Sequence, residues 1–132
     1  MTATESWNNP ISELHHSLRA RRRRLVVQAV RREDDATIAV RTLAREIAGT
    51  EHGIPDSQAT GEPYRNAYNA LSQTHLPTLA AARIILYDPM RQTVSAGPNL
   101  SVAALIIEMT RPAITLLYDQ QDVQREEGSI TD

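Results

Sequence analysis

LSQTHLPTLAAARIILYD, residues 71–88, changes its period half-way along. Up to Ala82 the apolar residues keep helical spacing, with Tyr68, Leu71, either His75 or Leu76, and Leu79 forming one stripe. From Arg83 the text RIILYD is apolar and β-branched, as a strand is. Pro77 sits inside the helical part and has no N–H to give, so a kink or a break into two segments is expected there. DPMRQ (88–92) carries turn chemistry and TVSAG (93–97) can return as a second strand. A helix that runs straight into a small β-hairpin is the expectation.

Working towards the N-terminus, this helix begins near Tyr64, after the loop IPDSQATGEP (54–63). Before the loop, VRTLAREIAGTEHG (40–53) predicts a helix with Val40, Leu43, Ala44, Ile47 and Ala48 inward and Gly53 near its end. A short β-like stretch, Ala36 to Ala39, follows REDD (32–35). Further back, Asn9-Pro10 is a good helix start. Ile11, Leu14, Leu18, Leu25, Val26, Ala29 and Val30 then keep helical spacing through RARRRR (19–24). One helix with a charged flank fits this pattern better than a loose basic arm. Four consecutive Arg span more than a turn and cannot all face one partner, and Arg21 or Arg22 must lay its stem along the core.

Towards the C-terminus, Gly97-Pro98 closes the hairpin and Asn99 can cap a last helix from Leu100 to about Tyr118, bent at Pro112. The expected organisation is a flexible N-terminus (1–9), one domain (10–99), a terminal helix (100–118) and an acidic, disordered tail (119–132). The tail holds five acids against one Arg, whereas residues 1–118 hold thirteen Arg against eleven acids.

Composition removes several classes of function. Cysteine is absent, so disulfides, thiol catalysis and zinc-thiolate sites are excluded. His15 and His16 diverge by about 100° on a helix and have no acidic partner suitably spaced, so no metal site is expected. His52 suits a helix end, and His75 is a packed or capping residue or a phosphate contact. No phosphate loop, G-x-S-x-G or apolar carboxylate pair occurs, so neither enzymatic activity nor a cofactor is expected, and no small-molecule ligand is evident. No signal peptide or bilayer-length apolar run is seen, which reads as a soluble cytoplasmic protein. All fourteen cations are Arg, a usage that fits a GC-rich, salt-adapted genome.

Helix, short strand, helix, loop, helix, hairpin is the order of a winged helix-turn-helix: mainly α with a small β-hairpin, here followed by a C-terminal helix. The text LSQTHLPTLAAARIILYD resembles the segment in many winged-helix regulators where a recognition helix enters an H-L-x-x-L motif and then the first wing strand. More narrowly, RRRRLVV (21–27), LAREIAGTEHG (43–53), QTHLPTLAAARII (73–85), LYD (86–88) and GPN (97–99) resemble an uncharacterised winged-helix family abundant in halophilic archaea. The resemblance covers roughly residues 11 to 99. It departs at Arg83, where such proteins usually carry Gly for a left-handed turn. The second helix also has Ala39 where a Ser or Thr cap is expected.

The resemblance implies sequence-specific binding of double-stranded DNA and transcriptional regulation. On the third helix the side chains opposite the core stripe are Arg65, Asn66, Asn69, Ser72 and Gln73, types that pair with base edges in the major groove. Any solvent-facing helix could carry the same residues. Arg91 lies at the expected wing tip, and Arg41 and Arg45 share a face of the second helix suited to phosphates. Arg45 could equally pair with Glu46 or Glu51. Arg23 and Arg24 could touch DNA backbone, or be solvated, or pair with the REDD turn.

The terminal helix offers Leu105, Ile106, Met109, Ala113, Leu116 and Leu117, an apolar stripe too wide to stay wet. Pairing with a second copy, helped by Ile11, Leu14 and Leu18, would bury it and make a homodimer. Folding back over its own domain is the other solution. The other class of function is a winged-helix protein-interaction module, because a body this near neutral is thinly charged for DNA. In concentrated salt, though, counterion release contributes little and direct base readout matters more.

Overall fold

The computed structural model describes residues 12–33 and 36–112. It is mainly helical with a small antiparallel sheet: α1 (12–17), α2 (Arg21–Arg32), β1 (Ile38–Ala39), α3 (Val40–His52), α4 (Gly61–Ala70), α5 (Leu76–Ala81), β2 (Ile85–Asp88), β3 (Thr93–Ala96) and α6 (100–112). Between α4 and α5 lies a π-helical turn, Leu71–His75, and before α4 a single 3₁₀ turn, Asp56–Gln58. This arrangement is compatible with a winged-helix fold.

The long first helix expected from the apolar spacing is two helices. The chain breaks at Leu18–Ala20, and α2 starts afresh from Ala20, whose backbone is extended. Arginines hold the break in place. Arg24 Nη1 donates to the carbonyls of Leu18 (2.9 Å) and Arg19 (2.8 Å), and Arg23 Nη2 reaches that of His16 (3.4 Å). Cations thus satisfy the carbonyls that the end of α1 leaves open. The expected Asn9-Pro10 start and Ile11 lie outside the described residues. Beyond the arginines, Val26, Val27, Ala29 and Val30 are buried.

Helix α3 matches its stripe, with Val40, Leu43, Ala44, Ile47 and Ala48 all buried. Gly53 ends it in the left-handed conformation (φ 65°), a standard helix stop. Its N-terminus has Ala39 and no side-chain cap; instead Val40 N–H donates to the Gln92 carbonyl (2.9 Å). Helix α4 begins at Gly61, three residues before Tyr64, taking up Glu62 and Pro63 as a first turn.

The break expected at Pro77 takes the form of the π turn just before it. Leu71 and Leu76 are both fully buried although they are five residues apart. An α-helix would bring His75, not Leu76, beneath Leu71; widening one turn brings Leu76 there. The Leu76 N–H accordingly bonds the Leu71 carbonyl.

The hairpin is joined by a third strand. β3 lies centrally, with Ile38 opposite Val94 on one side and Tyr87 opposite Val94 on the other. The stretch Ala36–Ala39 thus contributes only Ile38 and Ala39 to the sheet. Inward Ile85 and Val94 are buried, and outward Leu86 is exposed.

Where the sheet meets α6, three hydrogen bonds tie the chain to itself. Gly97 N–H donates to Ile84 carbonyl (3.0 Å), Asn99 N–H to Arg83 carbonyl (2.8 Å), and Asn99 Nδ2 to Ala82 carbonyl (3.0 Å). Asn99 therefore occupies the position before α6, its carbonyl receiving the N–H of Ala103, and its amide nitrogen ties that helix start to the end of α5. Arg83 has φ 61°, so the turn usually given to Gly is made here by an Arg. Helix α6 folds back on its own domain through Leu100, Ala103, Ala104 and Ile107.

Two stability outcomes follow. A Cβ on Gly97 would sit 2.6 Å from the Arg83 carbonyl oxygen and 2.8 Å from Ile84 and Ile85 backbone atoms. Gly97→Ala should cost about 3 kcal/mol, as overpacking against rigid atoms does. Arg83→Gly removes a left-handed Arg but frees the unfolded chain, for a net gain of about 0.5–1 kcal/mol. Urea denaturation of both variants measures these changes.

Candidate nucleic-acid interface

Arg65, Asn66 and Asn69 on α4 and Gln73 in the π turn are all exposed, at spacings that give one helix face. Ser72 differs. It is partly buried, and its hydroxyl points to Gln92 Oε1 (3.3 Å). Ser72 is thus turned towards the hairpin.

Arg91 lies in the β2–β3 turn with its side chain 85% exposed and only a loose approach to Asp88 (4.0 Å). Asp88 Oδ1 accepts the N–H groups of Met90 and Arg91, which shapes the turn from its first residue. Met90 beside it is 92% exposed.

Arg41 and Arg45 are exposed on α3. Arg45 pairs with neither acid considered for it, because Glu46 meets Arg32 and Glu51 holds Arg22 (2.9 Å). Its guanidinium instead lies 5.8 Å from the centre of the Tyr64 ring, a cation–π contact at the start of α4. Arg22 is the half-buried member of the run, its stem covered and its head paired to Glu51 through two bonds. Arg23 and Arg24 reach carbonyls at and just past the end of α1, those of His16, Leu18 and Arg19, and Asp34 and Asp35 of the REDD turn lie outside the described residues.

The residue that sequence reasoning missed is Gln92. Its Oε1 accepts from Tyr68 Oη (3.0 Å) and Ser72 Oγ, and its Nε2 donates to Tyr87 Oη (3.1 Å) and the Pro89 carbonyl (2.9 Å). The hairpin is thereby bonded to the helix that carries Arg65, Asn69 and Gln73. Its positive φ of 53° is invisible in the sequence, where Gln is simply a polar turn residue.

Of the expected dimer stripe, Leu105 (58%) and Met109 (69%) are exposed, joined by Val102 (46%). Ile106 is partly buried against the core. Ala113, Leu116 and Leu117 lie outside the described residues. A cleft of about 560 Å³ between α2, α3 and α6 is lined in part by the Arg32–Glu46 pair, which joins α2 to α3, and by the Arg111–Glu108 pair within α6. Among the described residues no group of His, Asp and Glu could hold a metal ion, and no helix is long and apolar enough to cross a membrane.

The sequence profile of DUF7344, a domain of unknown function, matches residues 15–95. The chain belongs to this family. The match runs from within α1 to Ser95 in β3, so the family unit holds α3, α4 and the hairpin, and α6 lies beyond it. No curated protein and no solved structure matches the chain.

His75, in the π turn of this DUF7344 domain, is partly buried, with its Nδ1 lacking a hydrogen-bond partner. Burial holds its pKa below the ordinary 6.5, and the charges of Arg23 and Arg22 add to this against the opposing pull of Glu51. The unfolded chain therefore binds this proton more readily than the folded one. Stability should be full above pH 6.5 and fall as pH drops from there through the lower folded-state value. His75→Gln should flatten this slope, read from urea midpoints between neutral and mildly acidic pH.

Proposed function

We propose that this protein is a winged-helix, sequence-specific binder of double-stranded DNA that regulates transcription as a homodimer. The observation that carries the reading is one exposed face, Arg65, Asn66, Asn69 and Gln73, on a helix hydrogen-bonded to a hairpin with Arg91 at its tip. Arg, Asn and Gln match guanine and adenine edges, and a helix of this size enters the major groove. Arg91 on the wing, with Arg41 and Arg45 on α3, would hold phosphates. The π turn within the reading helix adds support, since such turns occur often at functional sites. The finer placement, among winged-helix proteins of halophilic archaea, rests on the shared motifs and the all-Arg cations.

Homodimerisation is proposed on the exposed Val102, Leu105 and Met109 of α6. Each such side chain contributes roughly 1.5–3 kcal/mol when fully buried, before the cost of association. A two-fold pair would present two reading helices to a palindromic site. Exposed Leu86 and Met90 on the hairpin favour a second reading, in which the wing docks on a protein partner and no DNA is bound.

Binding-site selection with purified protein at high salt separates the two. One enriched palindromic sequence is the expected result, and no enrichment would leave the protein-docking reading. Asn69→Ala and Gln73→Ala should each lower discrimination between sites by roughly 1–3 kcal/mol. Arg91→Ala should weaken every site alike. Light scattering at micromolar concentration should give a dimer mass, shifted towards monomer by Leu105→Glu; a monomeric wild type would sink the dimer.

A further inference from the structure

Gln92 stands where all three proposed DNA-contacting elements meet. Its side chain joins the hairpin (Tyr87, Pro89) to the reading helix (Tyr68, Ser72), and its backbone carbonyl receives the N–H of Val40, the first residue of α3. Its neighbours in this arrangement are the proposed phosphate contacts: Arg91 precedes it in the chain, and Arg41 follows Val40. Gln is a residue type that reads adenine, but both ends of this amide are occupied. The oxygen accepts two hydroxyls, and the nitrogen donates to two oxygens, which uses both of its hydrogens.

The backbone points the same way. At φ 53° the turn suits Gly, and a Gln is disfavoured there. Closing the turn does not require this side chain, because Asp88 already organises Met90 and Arg91 from the other end. What the side chain adds is the bond between wing and helix.

We infer that Gln92 is a positioning residue, which fixes the wing against the reading helix so that Arg91 and the Asn69–Gln73 face reach DNA in one geometry. This rests on the DNA-binding reading above and names how its two halves are held together. Ser72, on this view, belongs to the latch and is not a base contact.

The test is a double-mutant cycle between Gln92 and Arg91. Gln92→Gly removes all four side-chain bonds, leaves the carbonyl for Val40, and gives the turn the residue its backbone prefers, so the domain should melt at or above the wild-type temperature. Tyr68→Phe with Ser72→Ala is the companion variant, cutting only the helix side of the latch. Affinities for the selected site are compared in wild type, Arg91→Ala, each latch variant and the combinations. Amide hydrogen exchange of residues 88–93 is followed in the absence of DNA.

Latch variants should bind about tenfold more weakly, within the range for directly interacting residues. Arg91→Ala should weaken wild type but add little in either latch background, because the Arg is then no longer held over its phosphate. Hairpin amides should exchange faster in both latch variants while those of α3 do not. If the Arg91 and Gln92 effects simply multiply, or hairpin exchange is unchanged, the inference is overturned although the protein binds DNA. Wild-type protein that selects no DNA would overturn the binding reading and this role with it. Faster hairpin exchange would then still establish the latch as a structural bond.

Discussion

The close passage of Gly97 over the Arg83–Ile85 backbone is the constraint on which the other elements depend. At that point the end of α5, both long strands and the start of α6 lie within hydrogen-bond reach of one another. The three bonds from Gly97 and Asn99 leave room for no side chain at residue 97. They also make the left-handed turn at Arg83 productive, because the carbonyl it rotates is the one to which Asn99 N–H donates. A strained Arg there is retained by what it is bonded to, as strained backbones generally are. The sheet, the wing and the direction of the last helix all issue from this crossing.

Around it, charge is used in two different ways. The Arg run that dominates the sequence is largely turned inward on the protein itself. Arg22 is taken by Glu51, and Arg23 and Arg24 by backbone carbonyls. The cations left facing solvent on this side are spread thinly over α3, α4 and the hairpin, at Arg41, Arg45, Arg65 and Arg91. A surface with few separated charges suits recognition by direct contact better than by a strong general field. That is consistent with a body close to neutral and with cations that are all Arg.

How much of this could be read beforehand depended on the kind of signal. Helices α3 and α5 and the hairpin were legible because stripes and turn residues are local. The break at Leu18–Ala20 was not, because Leu14, Leu18 and Leu25 keep helical spacing across it. At the end of α1 the open carbonyls are taken by arginine side chains five to seven residues further on, which pattern alone assigns to solvent or DNA. In α6 two helical stripes overlap. The large residues Leu105 and Met109 carry the stronger apolar signal, while the smaller Ala103 and Ala104, with Leu100 and Ile107, do the packing. Of the candidate contacts, exposure was predictable for Arg65, Asn69 and Gln73. The inward turn of Ser72 was not, because its partner Gln92 is twenty residues away.

The π turn at Leu71–His75 acts as a phase shifter between α4 and α5. One residue more than an α turn requires rotates everything after it by about 100° relative to everything before. The buried stripe of α4 and that of α5 are therefore written in different registers, and the chain can change one without disturbing the other. A single-residue deletion in this turn would restore a continuous α-helix with Leu76 four places after Leu71, so that the buried stripes rejoin and Leu76 and Leu79 keep their places in the core. Lineages of this family that gained or lost one residue here would present a different exposed face on the same scaffold. The turn is thus a point at which the exposed surface can be rewritten by length instead of by substitution.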